Sequence, residues 1–179
     1  MVGRRIREEK KVTVEATLCH IIDGNRLLLQ RKAAGLFGEG MWNGVGGRLE
    51  EGEAPWEGAV REVREETGLR ASNLRSHGVL SFYFGRRAVP DWVVHVFSTE
   101  MFRGALRPGE EGELRWFPLD EVPYDEMWQD DRHWLPLLLE GRRFSGSFYF
   151  SEDGTELLGF DLKPEPCTCL GASPAASTA

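Results

Sequence analysis

The chain has 179 residues, 41% of them hydrophobic, which is enough for one domain to bury a full core without disulfides or a structural metal. Its 22 Lys plus Arg face 29 Asp plus Glu, and the resulting charge of -7 argues against a nucleic-acid partner, whose phosphate backbone it repels. The start MVGRRIREEKK lacks an apolar signal-peptide region, no stretch reaches transmembrane length, and three cysteines make no disulfide framework.

These features predict a cytoplasmic protein with no membrane partner, more readily a monomer than an oligomer. Residues 1–10 read as a charged arm and 163–179 as a flexible tail, leaving 11–162 as the domain. Cys167 and Cys169, in the tail, have no second Cys/His pair nearby and read as ordinary thiols.

Within the domain, VTVEATLCHII and RLLLQRK flank the turn residues DGN and predict a hairpin. A glycine-rich loop follows from Gly35 to Gly52, with a short strand near WNGVGG. Residues 54–67 read as a helix, with Pro55 in its first turn and Gly68 as its C-terminal cap. Trp56, Ala59 or Val60, Val63 and Thr67 form the inward stripe, while Glu62, Glu65 and Glu66 share another face. HGVLSFYFG, DWVVHVFSTEM and ELRWFPLDEV read as strands, DRHWLPLLLEG as a second helix, and FSGSFYFSEDGTELLGFDL as a closing hairpin. Strands in mixed order with two helices predict an α/β (α+β) fold, a helix–sheet–helix sandwich around a mixed sheet.

Three carboxylates at i, i+3 and i+4 repel one another unless a cation neutralises them, and their hard oxygens suit Mg²⁺, with Mn²⁺ possible. Arg61 lies four residues before Glu65 and can pair with it or brace the preceding loop. Gly46 and Gly47 let backbone approach a cation or phosphate with no side chain between them. Loop and helix together read as a metal and phosphate cradle.

Gly47, Glu53 and then Arg61-Glu62-Val63-Arg64-Glu65-Glu66-Thr67-Gly68-Leu69 resemble the box of the Nudix hydrolases, matching it at nine positions over 23 residues. The family hydrolyses nucleoside diphosphates linked to another group. The resemblance implies that Glu62, Glu65, Glu66 and the Gly46 carbonyl hold metal, that Glu53 and Arg61 lock the loop, and that a carboxylate activates water. Glu65 and Glu111 are the candidates for that base, with Glu111 also counted among possible metal ligands. Glu111 can equally be an ordinary turn acid in PGEEGE. Ala54 departs from the Ser or Thr common at the helix N-cap in the family.

FGEGMWNGVGG, VHVF and VPYDEMWQDDRHWLPLLL further resemble the mammalian-type MutT homologues, which sanitise the nucleotide pool of oxidised purine triphosphates. That resemblance implies that Asn43, Asp130 and Asp131 read the base edge, that Trp128 stacks on the purine, and that Phe37, Phe82 and Phe84 line the pocket. Thr17 and Lys32 match further substrate-contacting positions. A flat base does want an aromatic face, and two crowded carboxyls can keep one proton, so that one donates while the other accepts. The same pair can also serve as a helix N-terminus favoured by the dipole. Trp92 stands where the resembling proteins carry a smaller, flexible methionine near the pocket, and one extra residue sits near Leu36. His95 reads as a strand residue, not a ligand. The expected activity is hydrolysis of 8-oxo-dGTP, 2-hydroxy-dATP and similar triphosphates to monophosphate and pyrophosphate. The alternatives are a Nudix hydrolase of dinucleoside polyphosphates or nucleotide sugars, and a non-catalytic nucleotide-binding module.

Overall fold

A computed structural model of the chain describes residues 12–107 and 112–165. The charged arm, Glu111 and the tail cysteines lie outside the described residues. Strands β1 (Val14–Asp23) and β2 (Arg26–Lys32) form the antiparallel hairpin, and Gly24 takes the left-handed φ of 60° that its turn requires.

The two strands pair directly only from Ile21–Leu28 to Asp23–Arg26. Beyond that point they part, and residues 42–48 thread between them. Strand β3 (Trp42–Asn43) pairs with Arg31 and Gln30 on one side, while Val45 bridges Cys19 and Arg48 bridges Ala16 on the other. The Thr17 amide donates to the Gly47 carbonyl at 2.9 Å. The threaded segment has no space for a side chain at Gly46, where a Cβ would stand 2.1 Å from the Thr17 carbonyl oxygen.

Helix α1 (Pro55–Thr67) begins at Pro55 and closes on Gly68, whose φ of 74° no β-branched residue adopts cheaply. Ala54 has no oxygen to cap the helix, but Glu57 Oε2 reaches back to accept the Ala54 amide at 3.1 Å. Ala59, Val63 and Thr67 face inward as the periodicity predicts. Trp56 does not; it is 57% exposed. The first turn rests on the loop at Leu49 and Glu53, which crowd the Cβ position of Gly58.

The rest of the chain forms β4 (Arg70–Ser72), β5 (Arg75–Phe84), β6 (Trp92–Thr99), β7 (Met101–Arg103), β8 (Gly112–Pro118), a 3₁₀ turn at Tyr124–Glu126, α2 (Asp131–Leu139), β9 (Phe144–Phe150) and β10 (Leu157–Pro164). The large sheet runs β10-β9-β5-β6-β1-β2-β3, with β8 also on β2, and is mixed: β1–β6 and β5–β9 are parallel. β4 and β7 form a separate pair. β10 stays paired through Pro164, opposite Phe144, so the ordered strand runs past the boundary expected at 162.

Neighbouring residues of one strand enter opposite cores. Leu28, Cys19, Ile21 and Phe97 pack with Ala59 and Val63 of α1, whereas Leu27, Leu29, Val96 and Leu80 pack with Trp134, Leu135 and Leu138 of α2. This is the helix–sheet–helix sandwich. Among the described residues, no helix is long and apolar enough to cross a membrane.

Candidate active site

Arg61 organises the acidic face of α1. Its Nε and Nη2 grip the two oxygens of Glu53 at 2.8 and 2.9 Å, and Nη2 also donates to the Arg48 carbonyl at 3.0 Å. Nη1 reaches Glu62 at 2.7 Å and Glu65 at 3.1 Å. One planar guanidinium thereby ties the loop before the helix to two helical carboxylates, a task for which its forked donors are suited. The Arg61 hydrogen bonds, helped by the Glu50 amide, hold the Glu53 carboxyl down at about 2.

The three helical glutamates do not share one environment. Glu62 and Glu66 are buried, while the Glu65 side chain is 60% exposed. Glu66 accepts from Lys32 Nζ at 3.0 Å and from the Gly46 amide at 3.1 Å. Glu62 presses against Gly47, where a Cβ would stand 2.5 Å from its Oε1. The glycine pair therefore places bare backbone against two buried carboxylates.

Every residue expected to touch substrate lines one cavity of about 550 Å³, which also takes in Arg61 and Glu62. Glu53, Glu65 and Glu66 stand behind or beside it, joined to it through Arg61 and Lys32. At the far end Trp128, Phe82, Phe84 and Phe150 form an aromatic wall. Phe37 lies between two indoles, 5.1 Å from Trp128 and 5.8 Å from Trp92, near-parallel to both. Trp134 and Arg48 are wall residues that motif matching does not assign, and Trp92, which the resemblance puts near the pocket, joins them. For Trp134 the available signal was its spacing, one helical turn after Asp130.

Asp130 and Asp131 are both buried at the start of α2. Asp130 does not cap the helix with its side chain; its Oδ2 accepts the Trp134 indole N–H at 2.8 Å. Burial raises both carboxyls above the usual carboxylate range, and the charge of Asp130 pushes Asp131 further up. The Trp134 hydrogen bond holds Asp130 back. Asp131 Oδ2 and Thr17 Oγ1 are buried at the cavity with no hydrogen-bond partner among the described residues. Such atoms cost free energy unless something meets them.

Residues 12–138 match the family model of the NUDIX domain. The chain belongs to the Nudix hydrolase family. It is 40% identical over 148 residues to the oxidized purine nucleoside triphosphate hydrolase of Mus musculus, covering 82% of this chain and 92% of that protein. It is also 40% identical over 137 residues to the protein of the same name from Danio rerio, covering 75% and 85%. Among solved structures, a mutator MutT protein from Bacillus halodurans superposes with a TM-score of 0.76 at 30% identity, covering 86% of this chain and 99% of that one.

Nudix hydrolases generally use divalent metal ions. Among the described residues no three His, Cys, Asp or Glu side chains are already converged on a metal position. The donor chemistry nevertheless fits: Glu62 and Glu66 offer hard carboxylate oxygens against the bare Gly46–Gly47 backbone, and Glu65 adds a third joined to Glu62 through Arg61. Their present hydrogen bonds to Arg61 and Lys32 are those a cation would compete with. His95 contributes nothing here; it is a part-exposed strand residue 3.6 Å from Glu15.

Proposed function

We propose that the chain hydrolyses oxidised purine nucleoside triphosphates, such as 8-oxo-dGTP and 2-hydroxy-dATP, to the monophosphate and pyrophosphate, with Mg²⁺ and with Mn²⁺ as a substitute. One observation carries the substrate: two adjacent buried carboxyls and the unpartnered Thr17 hydroxyl stand in the aromatic cavity that also holds Gly46 and Gly47. A base site and a phosphate site thus share one space. The names of the Mus musculus and Danio rerio relatives support the same reading.

The base stacks on Trp128 and is bounded by Phe82 and Phe84, with Asn43 offering amide groups to its edge and Lys32 beside it. Because Trp134 steadies the Asp130 anion, Asp131 keeps the shared proton. Asp131 then donates to a base acceptor while Asp130 accepts, and 8-oxoguanine presents a donor at N7 where guanine presents an acceptor. Discrimination follows from that reversal of hydrogen-bond sense.

Glu62, Glu65, Glu66 and the Gly46 carbonyl would hold the divalent cation, which when bound neutralises phosphate oxygens and polarises the leaving pyrophosphate. Glu53 fixes Arg61, and Arg61 fixes the loop through the Arg48 carbonyl, so the Gly46–Gly47 backbone keeps its position as the substrate enters. Glu65, the exposed member held through a single Arg61 bond, takes the proton from the attacking water. Glu111 is the other candidate for that role.

The test is pyrophosphate release from a panel of 8-oxo-dGTP, 2-hydroxy-dATP, dGTP and a dinucleoside polyphosphate. Preference for the oxidised purines is expected. A chain that prefers the dinucleoside polyphosphate, or turns over nothing, overturns the reading.

A further inference from the structure

Arg48 follows the Gly46–Gly47 turn, and its backbone is fixed from both sides: it bridges Ala16, and its carbonyl accepts Arg61 Nη2 at 3.0 Å. Its side chain behaves unlike the other cations of the cavity. Arg61 is saturated with carboxylates, and Lys32 is held by Glu66. The Arg48 guanidinium, in a chain with a net charge of -7, forms no ion pair among the described residues and lies over the Trp92 ring, 5.2 Å from its centroid.

No hydrogen bond or ion pair among the described residues takes up its N–H donors. The N–H donors lie in the guanidinium plane, so a cation resting on an indole keeps its fork for a planar set of anionic oxygens. Trp92 itself continues into Phe37 and from there into Trp128, the wall against which the base is placed. Arg48 therefore spans the boundary between the nucleoside end of the cavity and the phosphate turn. A triphosphate that runs from Trp128 to Gly46–Gly47 lies in the same cavity as these donors.

We propose that Arg48, held against the Trp92 ring, binds the phosphate chain of the nucleotide where it leaves the nucleoside pocket. Trp92 is the positioning residue for that contact, a role the smaller methionine of the resembling proteins cannot fill with a ring face. The inference rests on the substrate reading above.

The experiment is isothermal titration of wild type, Arg48→Gln, Arg48→Lys, Trp92→Met and the Arg48→Gln/Trp92→Met double variant with 8-oxo-dGMP and with the uncharged nucleoside 8-oxo-2′-deoxyguanosine. Arg48→Gln should weaken the monophosphate roughly tenfold, the usual scale for losing a charge-assisted contact, and leave the nucleoside unchanged. Arg48→Lys should recover part of the loss, since it restores charge without the fork. In the Trp92→Met background the Arg48→Gln penalty should shrink, because the guanidinium is no longer oriented.

Equal weakening of nucleoside and nucleotide, or none of either, overturns the role of Arg48, and full additivity in the double variant overturns the role of Trp92. A wild-type chain that releases no pyrophosphate from 8-oxo-dGTP overturns the substrate reading and this inference with it. Active wild type with an unaffected Arg48→Gln overturns this inference alone.

Discussion

Trp134 donates its indole N–H to Asp130 Oδ2 across one turn of α2, while the neighbouring Asp131 Oδ2 has no partner among the described residues. Two chemically identical side chains are thereby made unequal. Asp130→Asn and Asp131→Asn should each lower kcat/KM for 8-oxo-dGTP relative to dGTP by roughly ten- to a hundredfold, since a buried polar mismatch costs about 1–3 kcal/mol. Melts of the same variants check the alternative. If both melt early and keep the wild-type substrate ratio, the pair serves the helix and not the base.

The same pair sets a pH dependence. Burial raises the folded-state carboxyl of Asp131 well above 3.8, so the folded chain keeps a proton that the unfolded chain releases. Its contribution to stability is full below that pH and is lost as pH rises through the raised folded value. The melting temperature of Asp131→Asn relative to wild type should therefore climb with pH above 3.8. A difference that stays flat across mildly acidic to neutral pH contradicts the burial assignment.

Glu53 titrates in the opposite sense. Its carboxyl is held down at about 2 from 4.5, so its stabilising link to Arg61 is complete above 4.5 and disappears as pH falls toward 2. Glu53→Gln should melt below wild type at neutral pH, with the gap closing on acidification. Its kcat should also fall, because Arg61 loses the grip that holds the Arg48 carbonyl. Arg61→Lys should share the defect, a single ammonium being unable to reproduce the forked contact.

Glu65→Gln should leave the fold intact and cut turnover by about a hundredfold or more, as expected for loss of a general base or a metal ligand. EDTA should abolish activity and Mg²⁺ or Mn²⁺ restore it. Near-normal turnover of Glu65→Gln in Mg²⁺ excludes the assignment.

Ala54→Ser should stabilise the chain by about 1 kcal/mol, a rise of a few degrees in Tm. Ala54 has the extended backbone of an N-cap, with ψ at 146°, but lacks the side-chain oxygen. Glu57 already satisfies the Ala54 amide, so the serine hydroxyl would supply the missing half of the box. Thermal denaturation of the single variant decides it.

Legibility in the sequence followed the range of the forces involved. Pro55, Gly68 and the Ala59–Val63–Thr67 stripe were readable because capping and helical periodicity act within a few residues. Trp56 broke the same periodicity, being 57% exposed, because spacing along a helix does not say which of its turns has a partner to pack against. β4 and β7, three residues each, are too short to show an alternation. The Nudix box located Arg61 and the glutamates, but three carboxylates that look equivalent by spacing are split by burial into two inside and one outside. Arg48 and Trp92 lie 44 positions apart, and no local pattern announces that one rests on the other.

The threading of residues 42–48 between β1 and β2 bears on the dynamics of the site. The amides of Cys19 and Val45 each donate to the other's carbonyl, at 2.7 and 3.0 Å, and the Thr17 amide is held by Gly47. These protons are closed inside strands that run parallel to β6 and antiparallel to β2, so they cannot meet solvent by fraying of a surface loop. The amides of Thr17, Cys19 and Val45 should therefore exchange at the slow, global rate of the sheet, whereas the glycine-punctuated segment 33–41 that carries Phe37 should exchange early. Slow and early exchange are thus expected within a stretch of sixteen consecutive residues, 33–48.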